Sequence, residues 1–208
     1  MSAKSDQYAR QADDWTESAY ADATAYLAHR AGLIEGLGTR IEPGDEVLDL
    51  ACGDAGLGEA LIARGFRYRG VDATPEMVAE ARRRLGDRAS IEIGDLNDYT
   101  PLNPVAATAV FRAIYYARDR RAFFEHVASY TEKKLVFDLN PRQYRPADVV
   151  TDLRAAGFDQ VLLRPFFLPQ TVALPRLVAS AAKALERSGP LARLALRFRF
   201  TYLVAASR

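Results

Sequence analysis

Four aspartates stand beside short apolar runs: Asp49 and Asp54 in VLDLACGDAGLGEAL, Asp72 in GVDATPEMVAEAR and Asp95 in IGDLNDY. Between the first two lie small residues, with Ala51, Gly53, Ala55, Gly56 and Gly58 spanning an expected strand-to-helix turn. Small side chains there let a ligand approach the backbone, and the helix N-terminus beyond supplies free N–H groups. The same composition also serves a tight turn with close helix–sheet packing and no ligand. The glycines read Gly53-x-x-Gly56-x-Gly58, the reverse of the G-x-G-x-x-G order of dinucleotide sites. Carboxylates flanking the turn repel a diphosphate and suit a cationic ammonium. Asp72, 19 residues after Gly53, is placed for a ribose diol, and Asp95 for an exocyclic amine. Together these residues ask for a ligand with an amino group, a ribose and an adenine-like base.

The elements that position them follow from periodicity. Residues 6–37 read as two helices carrying Tyr8, Trp15, Tyr20 and Tyr26. Strands are expected at Val47–Leu50, Tyr68–Val71, Ser90–Ile93, Ala106–Phe111 and Lys134–Leu139, with helices at Gly56–Arg64, Glu76–Leu85, Arg120–Tyr130 and Asp148–Ala156. Strands alternating with helices predict an α/β fold with a parallel sheet covered on both faces. Two further strands, Gln160–Phe167 and Arg197–Ala205, enclose an amphipathic helix near Leu174–Arg187. Leu174, Leu177, Val178, Ala181, Ala182 and Leu185 form its apolar stripe. Packing on the domain as a roof over the pocket is one reading of that stripe. A membrane-surface helix and a dimer contact are the others.

VLDLACGDAG, GVDATPEMVAEAR and IGDLNDY, in this order, resemble the first three motifs of the class I S-adenosylmethionine-dependent methyltransferases, over roughly residues 42–140. Ala51 and Ala55 stand where that pattern commonly has glycine. The resemblance implies a doubly wound, mostly parallel seven-stranded sheet with an antiparallel C-terminal hairpin, and S-adenosylmethionine as cofactor. It places Asp49, Ala51 and Gly53 at the methionine part, Asp72 at the ribose, Ala73 and Met77 beside the adenine, and Asp95 and Leu96 at its edge. Backbone near Phe111 and Arg112 would meet the methionine ammonium. Tyr8 and Trp15 match an aromatic pattern of the family's cap, or else form an aromatic core stripe. The whole chain, 1–208, is expected to be one domain, with residues 1–40 as an N-terminal helical cap and 168–194 as a helical insert over the site.

Methyl transfer from a sulfonium starts from an activated leaving group, so positioning and exclusion of water supply much of the rate. Tyr115 and Tyr116 would face the acceptor, unless one packs into the core. Asn140 and Arg142 would orient it, with Phe166, Phe167 and Gln170 beneath the insert. Arg142 reads equally as a solvated turn residue. Asp138 is either a general base or a buried acid with a partner. His29 and His126 lie on helices away from the strand ends and are read as structural.

Composition sets the outer limits. The 208 residues are 49% hydrophobic and 26% charged, with a net charge of +1. One cysteine and two separated histidines give no visible nitrogen–sulfur metal cluster, so none is expected. The single cysteine also fits a reducing, cytoplasmic setting. Residues 154–208 hold eight arginines and one lysine against Asp159 and Glu186. The expectation is that this excess neutralises the acidic remainder within one fold. The reading is therefore a monomeric or homodimeric methyltransferase for a small, partly apolar or aromatic acceptor, with no integral membrane segment and no nucleic acid. RNA or lipid-quinone methylation, a non-catalytic cofactor-binding scaffold and a nicotinamide enzyme are the alternatives.

Overall fold

A computed structural model of the chain describes residues 15–195 and 201–208. Its strands are β1 (Glu46–Leu50), β2 (Arg67–Asp72), β3 (Ser90–Ile93), β4 (Val105–Val110), β5 (Thr131–Leu139), β6 (Gln160–Pro165) and β7 (Tyr202–Ser207). The helices are α1 (Trp15–Ala19), α2 (Ala23–Gly36), α3 (Gly56–Ile62), α4 (Pro75–Leu85), α5 (Arg120–Tyr130), α6 (Pro146–Ala155), α7 (Arg176–Arg187) and α8 (Pro190–Ala195).

The sheet order is β3-β2-β1-β4-β5-β7-β6. β1 pairs in parallel with β2 and β4, β2 with β3, and β4 with β5, whereas β7 runs antiparallel to both β5 and β6. This is the mostly parallel, doubly wound sheet with an antiparallel C-terminal hairpin that the motifs imply. Strand order reverses between β1 and β4. A crevice opens at such a point beyond the carboxyl ends of the strands.

Period-two alternation assigns the strand side chains to two layers. Val47 packs with α2, α3 and α4 residues such as Ile34, Leu57 and Val78, while Leu48 and Leu50 face Phe124, Val127 and Leu153 of α5 and α6. Asp49 therefore points into the α2–α3–α4 layer. β4, VAATAV, is buried along its whole length, as a central parallel strand covered on both faces should be. α5 starts at Asp119, whose carboxylate accepts the Ala122 N–H, and buries the expected face of Phe123, Phe124, Val127 and Ala128.

Some boundaries move. α5 runs straight into β5, so that strand starts at Thr131 rather than Lys134. α6 starts at Pro146, a residue preset for the first helical turn. The hairpin's second strand is described over Tyr202–Ser207, and residues 197–200 of the expected span lie outside the described residues. Within the insert a second short helix, α8, follows α7. Tyr8 lies outside the described residues.

Candidate functional site

The turn after β1 is held in an unusual backbone. Ala51, Gly53 and Ala55 have φ of 60°, 58° and 58°, the left-handed region. An alanine there costs about 1 kcal/mol or more, because its Cβ crowds the following carbonyl. This is the physical reason glycine is common at the positions of Ala51 and Ala55. A Cβ on Gly53 would also come within 3.2 Å of Trp15 Nε1. The other two glycines of the turn serve packing: Gly56 admits the side chain of Thr16 and Gly58 that of Tyr68.

The two acids of the turn have different fates, which corrects the idea that both await a cation. Asp54 is buried and spent: its oxygens accept the Thr16 N–H (2.9 Å), the Thr16 hydroxyl (2.6 Å) and Arg84 Nη2 (2.9 Å). It pins α1 to the turn. Asp49, 3% exposed, accepts only the Tyr68 hydroxyl among the described residues, at 2.8 Å. Burial pushes its carboxyl up to about 7, against the pull of the Tyr68 hydrogen bond and the Arg30 charge.

Asp72 closes β2 and holds the turn from the other side, accepting the Gly53 N–H at 2.9 Å and the Thr74 N–H at 2.8 Å. Desolvation raises its pKa in spite of these donors. At the next strand end, Asp95 accepts from Asn97 and pairs with Arg118 at 2.7 Å. Desolvation opposes its charge, but the Asn97 donors and Arg118 outweigh it and hold the carboxyl below its usual range.

The opposite wall is built by α2 and the end of β4. Arg30 is 2% exposed, its guanidinium 4.1 Å from the Phe111 ring centre and its Nη2 donating to Tyr26 Oη at 2.9 Å. Asp138 Oδ2 lies 3.8 Å from it. Asp138 Oδ1 accepts the Arg112 N–H at 2.7 Å, fixing Arg112 at φ 57°. Asp138 is thus half-buried and partnered by Arg112 and Arg30. The Arg112 guanidinium stacks 4.9 Å from the Trp15 ring. Among the described residues, Arg30 Nε and Arg112 Nη1 are buried with no hydrogen-bond partner.

These walls enclose a cavity of about 480 Å³. Trp15, Asp49, Ala51, Gly53, Asp72, Ala73, Met77, Asp95, Leu96, Phe111, Arg112, Tyr115 and Tyr116 all border it. So do Thr16, Tyr20, Arg30, Cys52, Asn97 and Arg118.

Residues 47–134 match the family model of a methyltransferase domain. Around that match the chain has the fold of the class I methyltransferases. Solved structures share the fold. A chain of the complex between the Haloferax volcanii Trm112 methyltransferase activator and a putative methyltransferase has a TM-score of 0.67, 23% identity and 97% coverage of each chain. A TehB-like S-adenosylmethionine-dependent methyltransferase from Corynebacterium glutamicum gives 0.63, 18% identity and 99% coverage of each. The magnesium protoporphyrin IX methyltransferase of Synechocystis, crystallised with S-adenosylmethionine, gives 0.57 and 17% identity, covering 100% of this chain and 85% of that one.

In this methyltransferase, Asn140, Arg142, Asp138, Phe166, Phe167 and Gln170 do not border the cavity. Asn140 turns inward on its own loop, its Oδ1 accepting the Arg142 N–H. Phe166 instead packs behind Arg30, edge-on to Tyr26 and stacked on His29. Gln170 accepts the Ala21 N–H through its carbonyl, which ties the insert to the start of α2. The insert does not roof the methyltransferase pocket. α7 lies beside α2, where Glu186, 2% exposed, meets His29 Nε2 at 2.6 Å and accepts the Phe167 N–H at 2.7 Å. Part of the expected apolar stripe faces out, with Leu177 87% exposed and Val178 50%, while Ala182 packs against the core. His126 bonds the Tyr99 carbonyl, away from the cavity. Arg30 was missed because one arginine in a helix gives no signal. The pair Tyr26 and Arg30, one helical turn apart, was the available hint.

Proposed function

We propose that this methyltransferase moves a methyl group from S-adenosylmethionine to a small, partly apolar or aromatic acceptor by in-line displacement. The observation that carries the reading is the cavity at the β1/β4 reversal. It joins the strained turn, Asp72, Met77 and Leu96 to the paired rings of Tyr115 and Tyr116. The residues fit the cofactor by their donor set. Two buried guanidinium N–H groups lack acceptors, and the methionine carboxylate is an acceptor. Asp49 suits the ammonium beside it, Asp72 the ribose hydroxyls, and Met77 with Leu96 the flat base. Bound there, the cofactor supplies a methyl group on a sulfonium whose leaving group is a neutral thioether.

The protein's own part is to position and to exclude water. Tyr115 and Tyr116, ring centres 4.5 Å apart, flank the acceptor side. Their faces suit a flat or apolar acceptor and favour a nearby sulfonium. Among the described residues, no arginine of 154–208 borders the cavity, which weighs against an RNA substrate.

Calorimetry with S-adenosylmethionine, and with NAD as control, tests the first half. The expected result is binding of the sulfonium nucleoside alone, weakened about tenfold to a hundredfold by Asp72→Ala through lost charge-assisted hydrogen bonds. Labelled-methyl transfer to a panel of phenolic and polyketide-like acceptors tests the second. Absence of binding, or NAD binding in its place, overturns the reading.

A further inference from the structure

The insert is turned inside out for a globular protein. α7 fastens to α2 by a polar group, Glu186, and leaves its leucines in solvent. Leu177, Val178 and Leu185 of α7 are 87%, 50% and 38% exposed, and Leu191 and Leu194 of α8 are 58% and 50% exposed. Five exposed large apolar side chains on two consecutive short helices mark an interaction site.

Charge selects the occupant. From Gln160 to Arg208 the only acid is Glu186, and it is buried on His29. Arg176, Lys183, Arg187 and Arg193 accompany the leucines on the two helices. Among the described residues, no ion pair joins any basic side chain of 154–208 to an acid, which corrects the expectation of internal neutralisation. Arg176, Arg187 and Arg193 are exposed, and none of the three pairs with an acid among the described residues. A second copy would bring like charge against like. A nucleic acid would meet leucines where it needs polar contact. Apolar side chains among arginines and lysine, on short helices lying along a surface, match the boundary between acyl chains and anionic headgroups.

We propose that the α7–α8 insert docks this protein on the surface of an anionic lipid bilayer. The leucines enter the acyl boundary, and the basic residues meet lipid phosphates. The insert leaves β6 at the carboxyl ends of the parallel strands, the end at which the cavity opens, so docking keeps the pocket near the lipid. The proposal stands independently of the acceptor's identity.

The test is co-sedimentation of the full chain with vesicles of phosphatidylcholine alone or mixed with phosphatidylglycerol, at low and high salt. Expected is partition onto the anionic vesicles only, falling about tenfold or more as salt rises from about 50 to 300 mM. Leu177→Gln with Leu194→Gln, and separately Arg176→Gln with Arg193→Gln, should each reduce partition about tenfold. All these positions are exposed, so cofactor binding and the circular dichroism spectrum should stay as in the wild type. No partition of the wild type onto anionic vesicles overturns the proposal, as does partition that both double variants retain. Sedimentation of the wild type as a dimer that Leu177→Gln dissociates, without vesicle binding, would assign the face to a second copy and overturn it equally.

Discussion

Asp49 meets no cation of its own among the described residues, and its carboxyl stays half protonated near neutral pH. A bound ammonium would favour its charged form. Cofactor affinity is therefore expected to climb with pH by up to about tenfold per unit below 7 and to level off above. In Asp49→Asn the profile should be flat and the affinity lower, as calorimetry at several pH values would read. The sign for folding is opposite. The folded pKa is raised above the unfolded value near 4, so the stabilising contribution is full below that value. It is lost as pH rises through about 7. Ala51 offers a second test. Glycine accepts its left-handed φ without strain, so Ala51→Gly should raise stability by about 1 kcal/mol in denaturant titration. Gly53→Ala should lower it and weaken cofactor binding. The four aspartates were legible because acids beside apolar runs stand out. What became of Asp54 was not, since its partner Thr16 lies 38 residues away in a segment with no marked pattern.

Two elements are pinned to their neighbours by buried polar contacts. α1 is five residues long, too short to hold itself, and Asp54 clamps it through Thr16. Trp15, the only tryptophan, rides on that clamp against Arg112 and the Gly53 turn. Thr16→Val should weaken cofactor binding about fivefold and shift Trp15 fluorescence to the red. β5 is tied to the end of α2 by fully buried Lys134, whose Nζ donates to the Glu35 and Leu37 carbonyls, both at 2.9 Å. Desolvation pulls its pKa down to about 8. The folded value lies below the unfolded one near 10.4, so the unfolded chain holds more protons in between. Stability should rise with pH from about 8 to 10, and Lys134→Met should abolish that slope in thermal melts. Strand and helix types were legible from periodicity. The facing of α7 was not, because a stripe of leucines ordinarily turns inward and only the buried Glu186–His29 contact, 157 residues apart in sequence, reverses it.

At the scale of the whole molecule, the sheet carries the pocket while the insert hangs from its far margin. We therefore expect the insert to be the separable part. Replacing Glu186 by Leu removes the acceptor for His29 and the Phe167 N–H, and should speed limited proteolysis within residues 176–195 while the sheet resists. The alternation of strands and helices made the α/β class plain, but nothing in the sequence revealed that Arg176, Arg187 and Arg193 find no acid among the described residues, because pairing depends on where an acid sits in space. β7 is the last strand along the chain, yet it occupies an interior lane between β5 and β6. On the ribosome, β6 emerges before the only neighbour it bonds in the sheet, so its edge has nothing to grip until the entire insert has been made. The basic, leucine-bearing segment is thus exposed in a half-built protein, and a pause in translation there would leave the nascent chain most open to capture by chaperones.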